Sequence, residues 1–115
     1  GWRLPNKEDW DILIAYVGDS IAGKVLKTTM PDMWKYYGDE FIGTDEYGFN
    51  AIPSGGRGAM ASFAVMNIVA HYWSASTQIE EWGVWSPYIV HWNNEVQWLG
   101  YAKSNGFCVR CVQDK

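Results

Sequence analysis

Apolar residues recur at helical spacing near the start of the chain. The positions that share one helix face are Trp10, Leu13, Ile14 and Val17. This i, i+3, i+4, i+7 pattern is typical of a helix with one buried face. Asn6 precedes the pattern and suits an N-cap, Glu8 suits the positive end of the helix dipole, and Gly18 follows as a stop. The pattern therefore predicts a first helix that ends at Gly18.

A shorter helix is expected directly afterwards, in the sequence DSIAGKVLKTT. Ser20 would be its N-cap, and Ile21, Val25 and Leu26 would face inward. From residue 30 to residue 48 the pattern breaks into Pro, Gly, Asp and aromatic residues, which indicates a long ordered loop.

The rest of the chain shows short strand patterns separated by turns. The expected strands cover residues 49–52, 70–76, 87–92 and 95–100. Two helices followed by short antiparallel strands and long irregular loops indicate an α+β domain.

The dipeptide Asn93–Asn94 predicts a two-residue hairpin turn, because Asn tolerates positive φ. In that register the cross-strand pairs are Trp92–Glu95, Val90–Gln97 and Tyr88–Leu99. The opposite face, with Ile89, His91, Val96 and Trp98, is the more apolar and is expected to face the core.

Composition narrows the possible functions. The chain has 115 residues, enough for a single domain with a core of its own, and 48% of them are hydrophobic. The net charge is −4, and the nine Lys and Arg residues are scattered, so no basic surface for nucleic acid is expected. No apolar run approaches the ~20 residues of a membrane span. Aromatic residues reach 17%, and Tyr and Trp favour places that are half buried and half wet.

Four stretches of the sequence carry a resemblance to a known family. They are GWRLPNKEDWDILIAYVG, GTDEYGFNAIPSGGRG, HYWSAS and SNGFCVRCVQD. In order and spacing they resemble the Fibrobacter succinogenes major paralogous domain, over nearly the whole chain. That family is similar to the group that shares the C-type lectin fold with the formylglycine-generating enzyme, whose hallmarks match Trp2–Pro5, Trp10 and Gly106–Cys111. The resemblance implies a C-type lectin-like fold, in which two helices pack on one side of a twisted antiparallel sheet and long irregular loops form the exposed surface.

The chain departs from the family pattern in two respects. Family members usually carry a longer N-terminal section with a Cys, so the resemblance implies that an N-terminal portion is missing here and that Cys111 lacks its usual partner. The formylglycine-generating enzyme works through two cysteines upstream of its closing motif, and the matching stretch from Trp73 to Asn105 contains none. Because that chemistry needs a thiolate, we expect no enzyme activity of this kind.

Other candidate chemistry is weak in this sequence. Cys108 and Cys111 lie three residues apart in an expected strand, about 10 Å apart on opposite faces, which is too far for a disulfide. A zinc site that combines them with His71 and His91 would lack a second close-spaced ligand pair. The adjacent carboxylates Asp45–Glu46 and Glu80–Glu81 are more simply explained as solvated or turn residues.

The stretch HWNNE resembles the Trp-Asn-Asp element of calcium-dependent lectins. Calcium prefers six to eight oxygen ligands, with several carboxylates among them, and here Asn94 stands in place of the Asp. The hairpin turn accounts for both Asn residues without a metal. We therefore expect no cofactor, with calcium as the less favoured alternative.

These observations favour a non-catalytic binding module at the bacterial cell surface or outside the cell. Flat aromatic faces beside amide and carboxylate groups suit a carbohydrate or a protein ligand. The expected binding residues are Trp82, Tyr88, Trp92, Asn93, Asn94, Glu95, Gln97 and Tyr101. Two alternatives are a structural cell-envelope domain without a specific site, and a variable binding protein of a diversity-generating retroelement. The sequence leaves the oligomeric state open.

Overall fold

A computed structural model of the chain describes residues 1–58, 63–77 and 83–114. It shows a small α+β fold with two helices and antiparallel sheets. The helices are α1 (Lys7–Val17) and α2 (Ala22–Leu26), with a short 3-10 helix at Asp39–Phe41. The strands are β1 (Trp2–Arg3), β2 (Gly56–Arg57), β3 (Phe63–Ala64), β4 (Val69–His71), β5 (Gly83–Val90), β6 (Gln97–Ala102) and β7 (Val112–Gln113).

Helix α1 begins and ends where local sequence signals place it. The Asn6 side chain accepts the backbone N–H of Asp9, and the Asp9 carboxylate accepts the backbone N–H of Asn6, which forms a capping box. At the other end the N–H of Gly18 donates to the carbonyl of Ile14 over 3.0 Å, and Gly18 has a φ of 111° that favours glycine. The predicted first helix is therefore confirmed.

Helix α2 differs from the prediction at its start. Its first turn follows Ile21 and has no side-chain cap, so the expected role of Ser20 was wrong. Val25 and Leu26 are buried as expected, whereas Ile21 is exposed. The helix is shorter than predicted, and its backbone is held by neighbouring loops rather than by a cap.

The strands form three separate antiparallel groups. β1 pairs with β7, β2 with β3, and β4, β5 and β6 form a sheet with β5 in the centre. The β1–β7 pair brings the two ends of the described chain together, and the Arg3 guanidinium joins Asp114 and Asp9 across it. This guanidinium is the main reason why the pKa of Asp9 is lowered.

The hydrophobic core lies between the helices and the three-stranded sheet. Trp10 from α1 contacts the rings of Phe49 and Tyr72, with centroids 6.1 and 5.4 Å apart. Ile89 of β5 is buried in this cluster, and Val96 and Trp98 pack against it. The face that alternation assigned to the core is therefore the one that packs there. Among the described residues no helix is both long and apolar enough to cross a membrane.

The predicted β-hairpin is wrong in register. The sheet pairs Tyr88 with Gln97 and Ser86 with Leu99, a shift of two residues from the expected pairs. Because the shift is even, Tyr88, Gln97 and Leu99 keep a common face. β5 ends at Val90 and β6 begins at Gln97, so residues 91–96 form a loop in place of a tight turn.

Candidate functional site

The 91–96 loop carries four of the expected binding residues and is held in place by its own polar groups. The side-chain oxygen of Asn93 accepts the backbone N–H of Glu95 over 2.9 Å. The backbone carbonyl of Asn93 accepts a hydrogen bond from the Lys27 ammonium over 3.2 Å. Asn93 therefore shapes the loop and anchors it to the residue that follows α2.

Asn94 makes a second set of anchoring contacts. Its side-chain N–H donates to the carbonyl of Glu40 over 3.0 Å, and its own carbonyl accepts the backbone N–H of Lys24 over 3.1 Å. Gly23 lies so close that an added Cβ would be 2.8 Å from the carbonyl oxygen of Glu95. The loop thus packs backbone to backbone on α2, which explains why it does not close as a two-residue turn.

Trp92 projects from this loop into a connected group of rings. His91 contacts Tyr37 and Trp92, with centroids 5.5 and 5.1 Å apart and both rings nearly perpendicular to it. Tyr37 also contacts Phe41. We call Tyr37, Phe41, His91 and Trp92 the Trp92 patch. Tyr37 is 62% exposed and Trp92 47% exposed, whereas His91 is only 8% exposed.

His91 is the buried polar centre of the Trp92 patch. Its Nδ1 is buried and has no hydrogen-bond partner. Burial lowers the pKa of His91, and the nearby cations Lys35 and Lys27 lower it further. A hydrogen bond with the Lys35 backbone raises the pKa, but the net effect is a lowered value. The imidazole is therefore neutral at pH 7.

A cavity of about 180 Å³ opens beside the patch. Its walls come from the segment between Thr28 and Gly43, and His91 closes one side. We call it the His91 cavity. The long loop predicted from the sequence therefore contributes a concave surface next to two exposed aromatic rings.

Lys27 holds the two loops that border the Trp92 patch. It is fully buried, and its ammonium donates to the carbonyls of Phe41 and Asn93, each over 3.2 Å. The same ammonium lies 5.2 Å from the ring centre of Trp34. Burial lowers the pKa of Lys27 to about 8, and Lys24 adds to this effect. Backbone carbonyls and an aromatic face thus replace the carboxylate that usually accompanies a buried lysine.

Tyr88, Gln97 and Tyr101 lie on strands of the sheet, outside the 91–96 loop. Tyr88 and Tyr101 contact His71, with ring centroids 5.5 and 5.2 Å away, and Phe107 stacks on His71 at 4.4 Å. We call His71, Tyr88, Tyr101 and Phe107 the His71 cluster. Its rings are half-buried or buried against one another, so they present less free surface than the Trp92 patch.

The expected binding residues therefore fall into two groups. Trp92 and Glu95 are exposed on the 91–96 loop, with Asn93 and Asn94 committed to its anchoring. Tyr88, Gln97 and Tyr101 share a face of the sheet. Trp82, like the carboxylate pair Glu80–Glu81, lies outside the described residues.

The cysteines and carboxylates that were considered for metal binding or catalysis do not come together in one site among the described residues. Cys108 and Cys111 are both free, and the Sγ of Cys108 lies 2.9 Å from the Oγ of Ser54. Within residues 1–58, 63–77 and 83–114, no group of three His, Cys, Asp or Glu side chains is arranged to hold a metal ion. The Asp45 carboxylate accepts the backbone N–H of Asn50 over 2.8 Å, which confirms a turn role.

Sequence reasoning missed Tyr37 and Lys27 as parts of a site. Tyr37 lies in the expected long loop, and its contact with His91 joins residues 54 positions apart. Lys27 did leave a signal, because it directly follows Val25 and Leu26, which the helix pattern assigns to the core. A lysine that is buried with such residues needs acceptors for its ammonium group.

Comparison with known protein families identifies the family of this chain. The family model described as Fibrobacter succinogenes major domain matches residues 1–113, which include every helix and strand given above. No curated protein and no solved structure matches the chain.

Proposed function

The chain belongs to the Fibrobacter succinogenes major domain family, and we propose that it is a non-catalytic ligand-binding module at the bacterial cell surface or outside the cell. The observation that carries this proposal is the exposure of Tyr37 and Trp92 around a buried His91. Leaving apolar surface in water costs about 25 cal/mol per Å². Adjacent exposed aromatic rings are therefore typical of a surface that is covered by a ligand.

We also propose that the fold is C-type lectin-like. Three features support this: the paired chain ends in β1 and β7, the two helices beside an antiparallel sheet, and the long segment between α2 and β2 that has little regular structure. In such an arrangement the long segment and the 91–96 loop form one exposed end, where the Trp92 patch lies.

The proposed ligand is a carbohydrate or a protein. Both classes use aromatic side chains as flat contact surfaces with polar groups at the edge. Trp92 and Tyr37 supply the rings, and the exposed Glu95 supplies a carboxylate on the same loop as Trp92. The Trp92 patch is the favoured location because the rings of the His71 cluster already pack on one another.

The test is a binding screen on a glycan and polysaccharide panel, run with calcium and with a chelator. Wild type is compared with Trp92→Ala and Tyr37→Ala. Tyr16→Ala is the matched control, because Tyr16 is 75% exposed but contacts Tyr47 on another part of the surface. We expect binding that is lost in the first two variants and kept in the control.

Other outcomes would revise the proposal in distinct ways. Binding that survives both Trp92→Ala and Tyr37→Ala would move the site away from the patch and towards Tyr88, Gln97 and Tyr101. Binding lost with chelator would show a calcium requirement. If the protein binds no glycan on the panel, carbohydrate is excluded as the ligand class. A protein ligand or a structural role in the cell envelope would then be left.

A further inference from the structure

The His91 cavity has the size of a single small ring molecule. Its volume is about 180 Å³. One monosaccharide ring fits such a space. The cavity also adjoins the Trp92 patch, since Tyr37 and His91 belong to both.

The walls of the cavity offer both stacking surface and hydrogen-bonding groups. Trp34, Tyr36 and Tyr37 provide aromatic surface. The indole N–H of Trp34 is committed to the carbonyl of Ala51, and the Tyr36 hydroxyl to Asp39. These two residues therefore contribute mainly the apolar faces of their rings.

The polar side chains at the cavity include a donor and an acceptor of opposite charge. Asp32 and Lys35 both line it and are exposed, and Thr29 adds a hydroxyl. Sugar hydroxyl groups both donate and accept, so they can use a carboxylate and an ammonium together. Because one acidic and one basic side chain line the cavity, their formal charges offset and the cavity suits a neutral ligand.

His91 lines the cavity with a buried side chain. Because its Nδ1 is shielded from solvent, the imidazole contributes ring surface to the cavity wall and no hydrogen bond to the ligand. Lys27 and Lys35 place positive charge near His91, as their effect on its pKa shows. A cationic group is therefore a poor ligand for this position.

We propose that the His91 cavity binds one neutral sugar ring, which stacks on Tyr37, contacts the ring of His91 and hydrogen-bonds through its hydroxyls to Asp32 and Lys35. This inference rests on the proposed function and names the ligand class for one part of that site. In a longer glycan, the sugar ring in the cavity determines the specificity of binding. Trp92 contacts the part of the glycan that extends beyond this ring.

The direct test follows the His91 ring by NMR during titration with free sugars. The neutral probes are glucose, galactose, mannose and N-acetylglucosamine, and the cationic comparator is glucosamine. We expect at least one neutral sugar to shift the His91 ring signals saturably, and glucosamine to bind more weakly than glucose. If no neutral sugar shifts these signals, or if glucosamine binds more tightly than glucose, the inference is overturned.

Two variants test whether the shifts of the His91 ring signals come from a sugar bound in the cavity. Asp32→Asn removes the charge and retains a residue that tolerates the φ of 62° at this position, and Lys35→Met removes the ammonium group, so both leave the His91 signals available. Each should weaken binding of the sugar by about 3- to 10-fold, the effect of weakening or losing one hydrogen bond. Asp19→Asn, at another exposed aspartate, is the control and should leave binding unchanged.

The results separate this inference from the proposed function. Glycan binding that Trp92→Ala abolishes, but that Asp32→Asn and Lys35→Met leave unchanged, would retain the binding module and reject the cavity. Sugar-dependent shifts of His91, together with glycan binding that Trp92→Ala leaves unchanged, would retain the cavity and reject Trp92 as a contact residue. Asp32 and Lys35 are both exposed, so neither variant removes a buried group.

Discussion

The ammonium group of Lys27 donates a hydrogen bond to the carbonyl oxygen of Asn93 over 3.2 Å. Through this contact the residue after α2 fixes the loop that carries Trp92. The same ammonium bonds to the carbonyl of Phe41, so one buried side chain joins both loops that border the Trp92 patch. The geometry of the proposed site therefore depends on a residue that is itself inaccessible to a ligand.

Replacing Lys27 by Met should destabilise the fold near neutral pH. The variant fills similar space but leaves the carbonyls of Phe41 and Asn93 without their donor, at a cost of about 1–2 kcal/mol. Chemical denaturation at pH 7 measures the free energy of unfolding. A Lys27→Met protein as stable as wild type would show that removing the buried charge fully offsets the lost hydrogen bonds.

The stability of wild type should also rise at mildly alkaline pH. The pKa of Lys27 is lowered from 10.5 to about 8 in the folded state. Between these values the unfolded chain holds a proton that the folded chain has released, so stability increases as pH rises. From pH 7.5 to 9.5 we expect a gain on the order of 1 kcal/mol in wild type relative to Lys27→Met. Parallel pH curves for the two proteins would contradict this expectation.

The contact between α2 and the 91–96 loop leaves no room for a side chain at Gly23. A Cβ there would lie 2.8 Å from the carbonyl oxygen of Glu95 and 3.0 Å from that of Asn94. Gly23→Ala should therefore cost about 1–3 kcal/mol despite the better helix propensity of Ala, and should weaken any ligand binding at Trp92. Gly1→Ala, where a Cβ meets nothing within 4 Å, is the control for thermal and chemical denaturation.

Local signals in the sequence predicted α1 well, because its determinants are close in sequence. The cap at Asn6, the stop at Gly18 and the apolar spacing between them all act within a few residues. Alternation also placed Ile89 and Trp98 on the core side, since an even register shift does not change which face a residue occupies.

Longer-range contacts explain the elements that were predicted wrongly. The Asn93–Asn94 pair has the composition of a tight turn, but its carbonyls bind Lys27 and Lys24, nearly 70 residues earlier in the chain. The alternation pattern could not show that β5 is the central strand, with Tyr88 partly covered by His71. The position of Tyr37 beside His91 depends on the path of the long loop, which has no periodic pattern from which it could be inferred.

The two predicted helix caps can be compared directly. Asn6→Ala removes a capping hydrogen bond and should destabilise the fold by about 1 kcal/mol. Ser20→Ala removes a side chain that makes no cap, so it should change stability by less than about 0.5 kcal/mol. Urea denaturation of both variants measures the difference. Equal losses in the two would show that Ser20 caps α2 in solution.

Acidification should destabilise the fold through His71. Burial lowers the pKa of His71 from 6.5 to about 4, so between these values the unfolded chain binds a proton that the folded chain does not. Stability is therefore fully present above pH 6.5 and falls as pH decreases towards 4. At pH 4.5 we expect a loss of roughly 2 kcal/mol relative to pH 7.

His71→Phe retains a ring that can stack on Phe107 but cannot titrate, so its stability should change much less over this range. If urea denaturation shows the same loss in His71→Phe, the acid sensitivity comes from other groups and not from the His71 cluster.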